Sequence, residues 1–131
     1  MPIYITRGRF TSNAIKGMLA KPEDREEAVA KLFKNAGGKL IGWYLTFGHH
    51  DWMAIGEFPD EKAAATAILA AAAGGSLSDI ETTVAMTAKE AASTFKSAGK
   101  AAKRTPASVI RLASKSSAVS ARLPSMATDP V

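Results

Sequence analysis

Both histidines of the chain, His49 and His50, stand beside Asp51, and together they form its densest group of acid–base and metal-ligating side chains. An imidazole oriented by a carboxylate is a general base, which gives His50 and Asp51 a catalytic reading. Two imidazoles and a carboxylate can also hold a divalent metal. The metal reading is the poorer one. Neighbouring residues in a strand or tight turn point to alternate sides, and no second cluster supplies further ligands, so neither metal nor cofactor is expected. The simplest alternative makes Asp51 a turn residue bonded to its own backbone, with the histidines at a polar loop tip.

A second chemistry is binding. Tyr4, Trp43, Tyr44, Phe47 and Trp52 concentrate the aromatic residues on three segments that should be neighbours. They are suited to an apolar pocket between sheet and helices, or between two sheets, for a small apolar or aromatic ligand. The alternative is ordinary core and interface. Arg7 and Arg9 share one face of the first segment and are placed to hold a carboxylated ligand. They serve equally as edge charges or as partners for Glu57 and Glu81. The binding candidates are thus Tyr4, Arg7, Trp43, Tyr44, His49 and Trp52. Cysteine is absent, which excludes disulfides, thiolate metal sites and a thiol nucleophile. Gly37-Gly38 and Gly74-Gly75 follow helical segments rather than precede them, so they are caps and not phosphate cradles.

These side chains need elements to position them. Ile3 to Phe10 alternates and is rich in β-branched and aromatic types, predicting a strand. Thr11 or Ser12 caps a helix carrying Ile15, Met18 and Leu19, which Pro22 interrupts. Glu23, Asp24, Glu26 and Glu27 then suit a helix N-terminus, and Val29, Leu32, Phe33 and Ala36 supply its buried stripe. A second strand over Lys39 to Phe47 has apolar residues on both faces, with Leu40 and Tyr44 on one and Ile41, Trp43, Leu45 and Phe47 on the other. A compact turn over Gly48 to Asp51 leads to a third strand, Trp52 to Phe58. Pro59-Asp60 starts an alanine-rich helix through Ala73, Leu77 to Thr87 contains a fourth strand, and a helix begins at Ala88, with Ala91, Ala92 and Phe95 placed to dock on the domain.

The order β-α-β-β-α-β predicts an α+β, ferredoxin-like fold: a four-stranded antiparallel sheet with helices on one face. A second strand that is apolar on both sides implies that the other face is covered as well. The expected cover is the same face of a second copy, giving a homodimer.

Net charge is +5 and the pI about 9.6, which alone suggests nucleic acid as a partner. Resolved by position, the charge tells a different story. Residues 1–97 are formally neutral, and the whole excess lies in 98–131, an Ala/Ser-rich stretch without aromatic residues. We therefore expect a folded domain over 1–97 and a basic tail over 98–131 that is mostly disordered, because it has too little apolar surface to offset chain entropy. Nucleic-acid contact is expected only through that tail. The N-terminus lacks the apolar core of a secretory signal, and the longest apolar run, Ala63 to Ala73, is too short to span a bilayer. A cytoplasmic protein without membrane insertion is expected.

Three motifs in order, P-x-Y-I-T-x-G-x-F-T from Pro2, G-G-K-L-I-G-W-Y-L-T-F-G from Gly37 and F-P-D-E-K-A-A-A from Phe58, resemble the GYD domain family over about residues 1–97. His50 stands where the family's naming motif places its tyrosine, between Gly48 and Asp51. The resemblance implies a small bacterial protein with a dimeric α/β-barrel fold and no established biochemical activity. The reading that follows is a non-enzymatic protein of assembly or small-ligand binding. Its alternatives are a cofactor-independent enzyme on a small apolar or aromatic molecule using His50 and Asp51, and weak nucleic-acid binding through the tail.

Overall fold

A computed structural model of the chain describes residues 1–109; of the tail expected to be disordered over 98–131, residues 110–131 lie outside the described residues. Two compact units divide at Thr87 and Ala88. The first contains β1 (Ile3–Phe10), α1 (Ser12–Ala20), α2 (Arg25–Asn35), β2 (Lys39–Leu45), β3 (Trp52–Glu57), α3 (Glu61–Ala73) and β4 (Leu77–Ala85); the second opens with α4 (Ala88–Arg104). No helix among the described residues is long and apolar enough to cross a membrane.

The helices begin where side-chain acceptors satisfy their first free N–H groups. Thr11 Oγ1 accepts from Ala14 N at 3.2 Å, Asp24 Oδ1 from Glu26 N at 2.9 Å and Asp60 Oδ1 from Ala63 N at 2.9 Å. Pro22 cannot continue α1, and the chain restarts as α2, with Glu26 and Glu27 in the first turn and Lys34 in the last, both favourable to the helix dipole. Gly37 follows α2 at φ +91°, a left-handed conformation that costs glycine little.

The strands pair in the order β2-β3-β1-β4, all antiparallel, which is the expected ferredoxin-like arrangement in an open sheet. Tyr4, Trp52 and Ala54 of one sheet face pack with Phe33 of α2, Phe58, and Ala64 and Ala67 of α3. Phe58 is 1% exposed, its ring 4.9 Å from that of Phe33 and 5.8 Å, edge-on, from that of Tyr4. Removing a ring so placed typically costs about 3–5 kcal/mol. Gly56 makes this packing possible, since a Cβ there would lie 2.5 Å from the Phe33 ring.

The two faces of β2 differ from the alternation read in the sequence. The register with β3 slips between Leu40 and Gly42, so Leu40 opposes Gly56, Gly42 opposes Ile55, and Trp43 opposes Ala54. Ile41 is the extra residue of this bulge. Leu40 therefore shares the core side with Trp43 instead of Tyr44. Tyr44 joins Met53 on the opposite face, half-exposed at 54%. Its ring lies over Gly42, where a Cβ would be 3.0 Å from the phenol oxygen. That face also carries Ile3, Ile5 and Arg7 of β1 and Ile55 of β3, with Ile5 directly opposite Ile55.

In the second unit, α4 carries Ala88, Ala91, Ala92, Phe95, Ala98 and Ala102 at helical spacing, with Lys89, Lys96, Lys100 and Lys103 along an adjacent strip. The helix runs to Arg104, past the boundary expected at residue 97.

Candidate ligand-binding site

On the helical side of the sheet lies a cavity of about 260 Å³. Thr6 and Phe10 of β1, Trp43 of β2 and Trp52 of β3 form its floor, and Val29, Leu32 and Phe33 of α2 with Ile68 and Ala71 of α3 form its walls. Gly8 lets the Trp52 indole lie against β1, for a Cβ there would be 2.7 Å from Trp52 Cζ2. Phe10 and Trp43 stand with ring centroids 6.4 Å apart.

Polar groups in the lining are few. Thr6 Oγ1 is 3.2 Å from Thr82 Oγ1, so its hydroxyl has a partner. Trp52 Nε1 and Arg25 Nε have none: both are buried and reach no acceptor among the described residues. Arg25 lines the cavity and also two outer grooves, one along α1 with Thr11, Asn13 and Lys21, the other between Ile15, Leu19, Leu45, Phe47 and Asp51. Phe10 is likewise common to all three.

The sequence-derived candidates separate. Trp43 and Trp52 meet in the cavity. Tyr4 belongs to the adjacent core, and Tyr44 and Arg7 lie on the opposite sheet face, where Arg7 is in register with Glu81. His49 is exposed. His50 and Asp51 do not address one another: His50 Nε2 is 3.1 Å from Glu81 Oε2, and Asp51 Oδ2 accepts from Phe10 N at 2.9 Å. Thr46 N donates to Asp51 O and Thr46 Oγ1 to His50 O, closing the loop, while Asp51 N donates to Gly8 O and fastens it to the end of β1. Among the described residues no three His, Asp or Glu side chains form a group that could hold a metal ion.

Arg25 escaped the sequence reading, although one signal marked it. It is a cation in the first turn of a helix, among Glu23, Asp24, Glu26 and Glu27, where the dipole disfavours positive charge. A local rule broken without visible compensation often marks function.

The sequence profile of the GYD domain matches residues 4–95. The chain belongs to the GYD domain family. No curated protein matches it. Among solved structures, the GYD chain is similar to MtbAldR (9% identity, TM-score 0.48, covering 66% of this chain and 52% of that one). It is also similar to TTHA0845 from Thermus thermophilus (15%, 0.46, 67% and 96%) and to At3g17210 from Arabidopsis thaliana (14%, 0.43, 66% and 95%). The GYD chain thus spans about half the length of MtbAldR.

Proposed function

We propose that this GYD protein is a homodimeric domain that binds a small apolar molecule between its sheet and its helices. The observation that carries the reading is the cavity, bounded by Phe10, Trp43, Trp52, Leu32 and Phe33 and about 260 Å³ in volume. A dry cavity of roughly 150 Å³ accommodates benzene, so this one suits a single substituted ring or a short branched chain. The opposite face supports the dimer: Ile3, Ile5, Met53 and Ile55 form an apolar strip flanked by Ile41 and Tyr44, suited to pairing with its own copy. Acid–base chemistry by His50 and Asp51 is the less favoured alternative, because the Asp51 carboxylate is held by the Phe10 N–H and His50 by Glu81.

The test is solution NMR of the full chain with toluene, benzamide and benzoate as probes. Shifts confined to residues lining the cavity support the reading. No shift with any of the three at millimolar concentration overturns it.

A further inference from the structure

We infer that the molecule taken by this cavity is a monocarboxylate, with its apolar body among the aromatic rings and its carboxylate on Arg25 and Trp52. The inference rests on the cavity being a binding site and adds the chemical class of the ligand. A buried donor without an acceptor is costly, and native proteins leave few of them. Here two such atoms, Arg25 Nε and Trp52 Nε1, belong to side chains lining one cavity that is otherwise almost wholly apolar.

The donors define the head group. Both offer N–H and accept nothing, so the ligand must bring acceptor oxygens. A guanidinium presents parallel N–H groups that match the two oxygens of a carboxylate. Charge then selects among anions. Among the described residues the Arg25 guanidinium has no ion pair, and it is the only cation lining the cavity. One positive charge balances a carboxylate, whereas a phosphate dianion would bring an uncompensated charge against apolar walls. The carboxylate sits where Arg25 and Trp52 offer their N–H groups, with the apolar body against Phe10, Phe33 and Trp43. The volume limits the body to about one ring.

The experiment titrates the full-length protein with benzoate, benzamide and toluene, followed by calorimetry and by the two indole N–H resonances, which Trp43→Phe assigns. Benzoate should bind roughly ten- to a hundredfold more tightly than benzamide, as a charge-assisted hydrogen bond implies, and should move the Trp52 resonance. Arg25→Gln should erase that preference. Equal affinity of benzoate and benzamide, with cavity resonances shifting for both, overturns the carboxylate inference and leaves the cavity reading standing. Failure of all three probes overturns both. Benzoate preference that survives in Arg25→Gln, with the variant folded by its NMR spectrum, also overturns the assignment to Arg25.

Discussion

Asp51 and Phe10, forty-one positions apart, are joined by one hydrogen bond in which the Asp51 carboxylate accepts the Phe10 backbone N–H at 2.9 Å. The bond extends the β1–β3 ladder by one link, beyond the Gly8–Trp52 pair, and it fixes the strand end that presents the Phe10 ring to the cavity. Asp51→Ala leaves that N–H unpartnered and should cost about 1–3 kcal/mol in urea unfolding. Asp51→Asn retains an acceptor oxygen and should cost distinctly less.

The His50–Glu81 pair gives the contrasting case. Glu81 is 68% exposed, and pairs of this kind contribute about 0–1 kcal/mol. Glu81→Gln should therefore leave the unfolding midpoint almost unchanged, a result that a double-mutant cycle with His50→Ala would confirm.

Arg25 should carry a stability penalty in the protein alone. Replacing an unsatisfied donor by an apolar chain of similar length relieves its desolvation, so Arg25→Met should raise stability by about 1 kcal/mol. A melting curve in the absence of added carboxylate reads this directly. A purely structural arginine would give the opposite sign.

Assembly makes a separate demand. The full chain should sediment as a dimer at micromolar concentration, and Ile55→Lys, placed in the middle of the apolar strip opposite Ile5, should sediment as a monomer with an unaltered circular dichroism spectrum. A wild-type monomer under the same conditions would remove the dimer from the proposal.

Helix α1 should be the least protected element of the first unit. It buries no side chain, and Ile15 and Leu19 line an outer groove while staying largely exposed. Its amides should exchange orders of magnitude faster than those of Tyr4 and Ala54 on the central strands, as hydrogen-exchange rates would reveal.

Much of the fold is legible in the sequence because local chemistry agrees with it. Thr11, Asp24 and Asp60 announce helix starts, Gly37 a stop, and the alternation from Ile3 to Phe10 a strand whose inward residues do reach the core. Misreading begins at Ile41. Strict alternation groups Leu40 with Tyr44, and only Gly42, a glycine inside a strand, hints at the bulge that groups Leu40 with Trp43. The binding candidates divide for a related reason. Trp43 and Trp52 are brought together by strand pairing, which aromatic content alone could anticipate, whereas Arg25 joins them only because α2 crosses the sheet there. A turn reading of Asp51 gives its carboxylate a local partner. The true partner sits on another strand, and no local pattern encodes that distance.

The bulge at Ile41 sets the phase of every later residue in β2. Deleting that single codon would leave Leu40, Gly42 and Trp43 opposite Gly56, Ile55 and Ala54 in a regular ladder, so Trp43 would keep its place in the cavity and only the local kink would be lost. Related sequences can therefore carry or lack the bulged residue while the same indole stays in the cavity wall, so chain length at this point can vary without altering ligand preference.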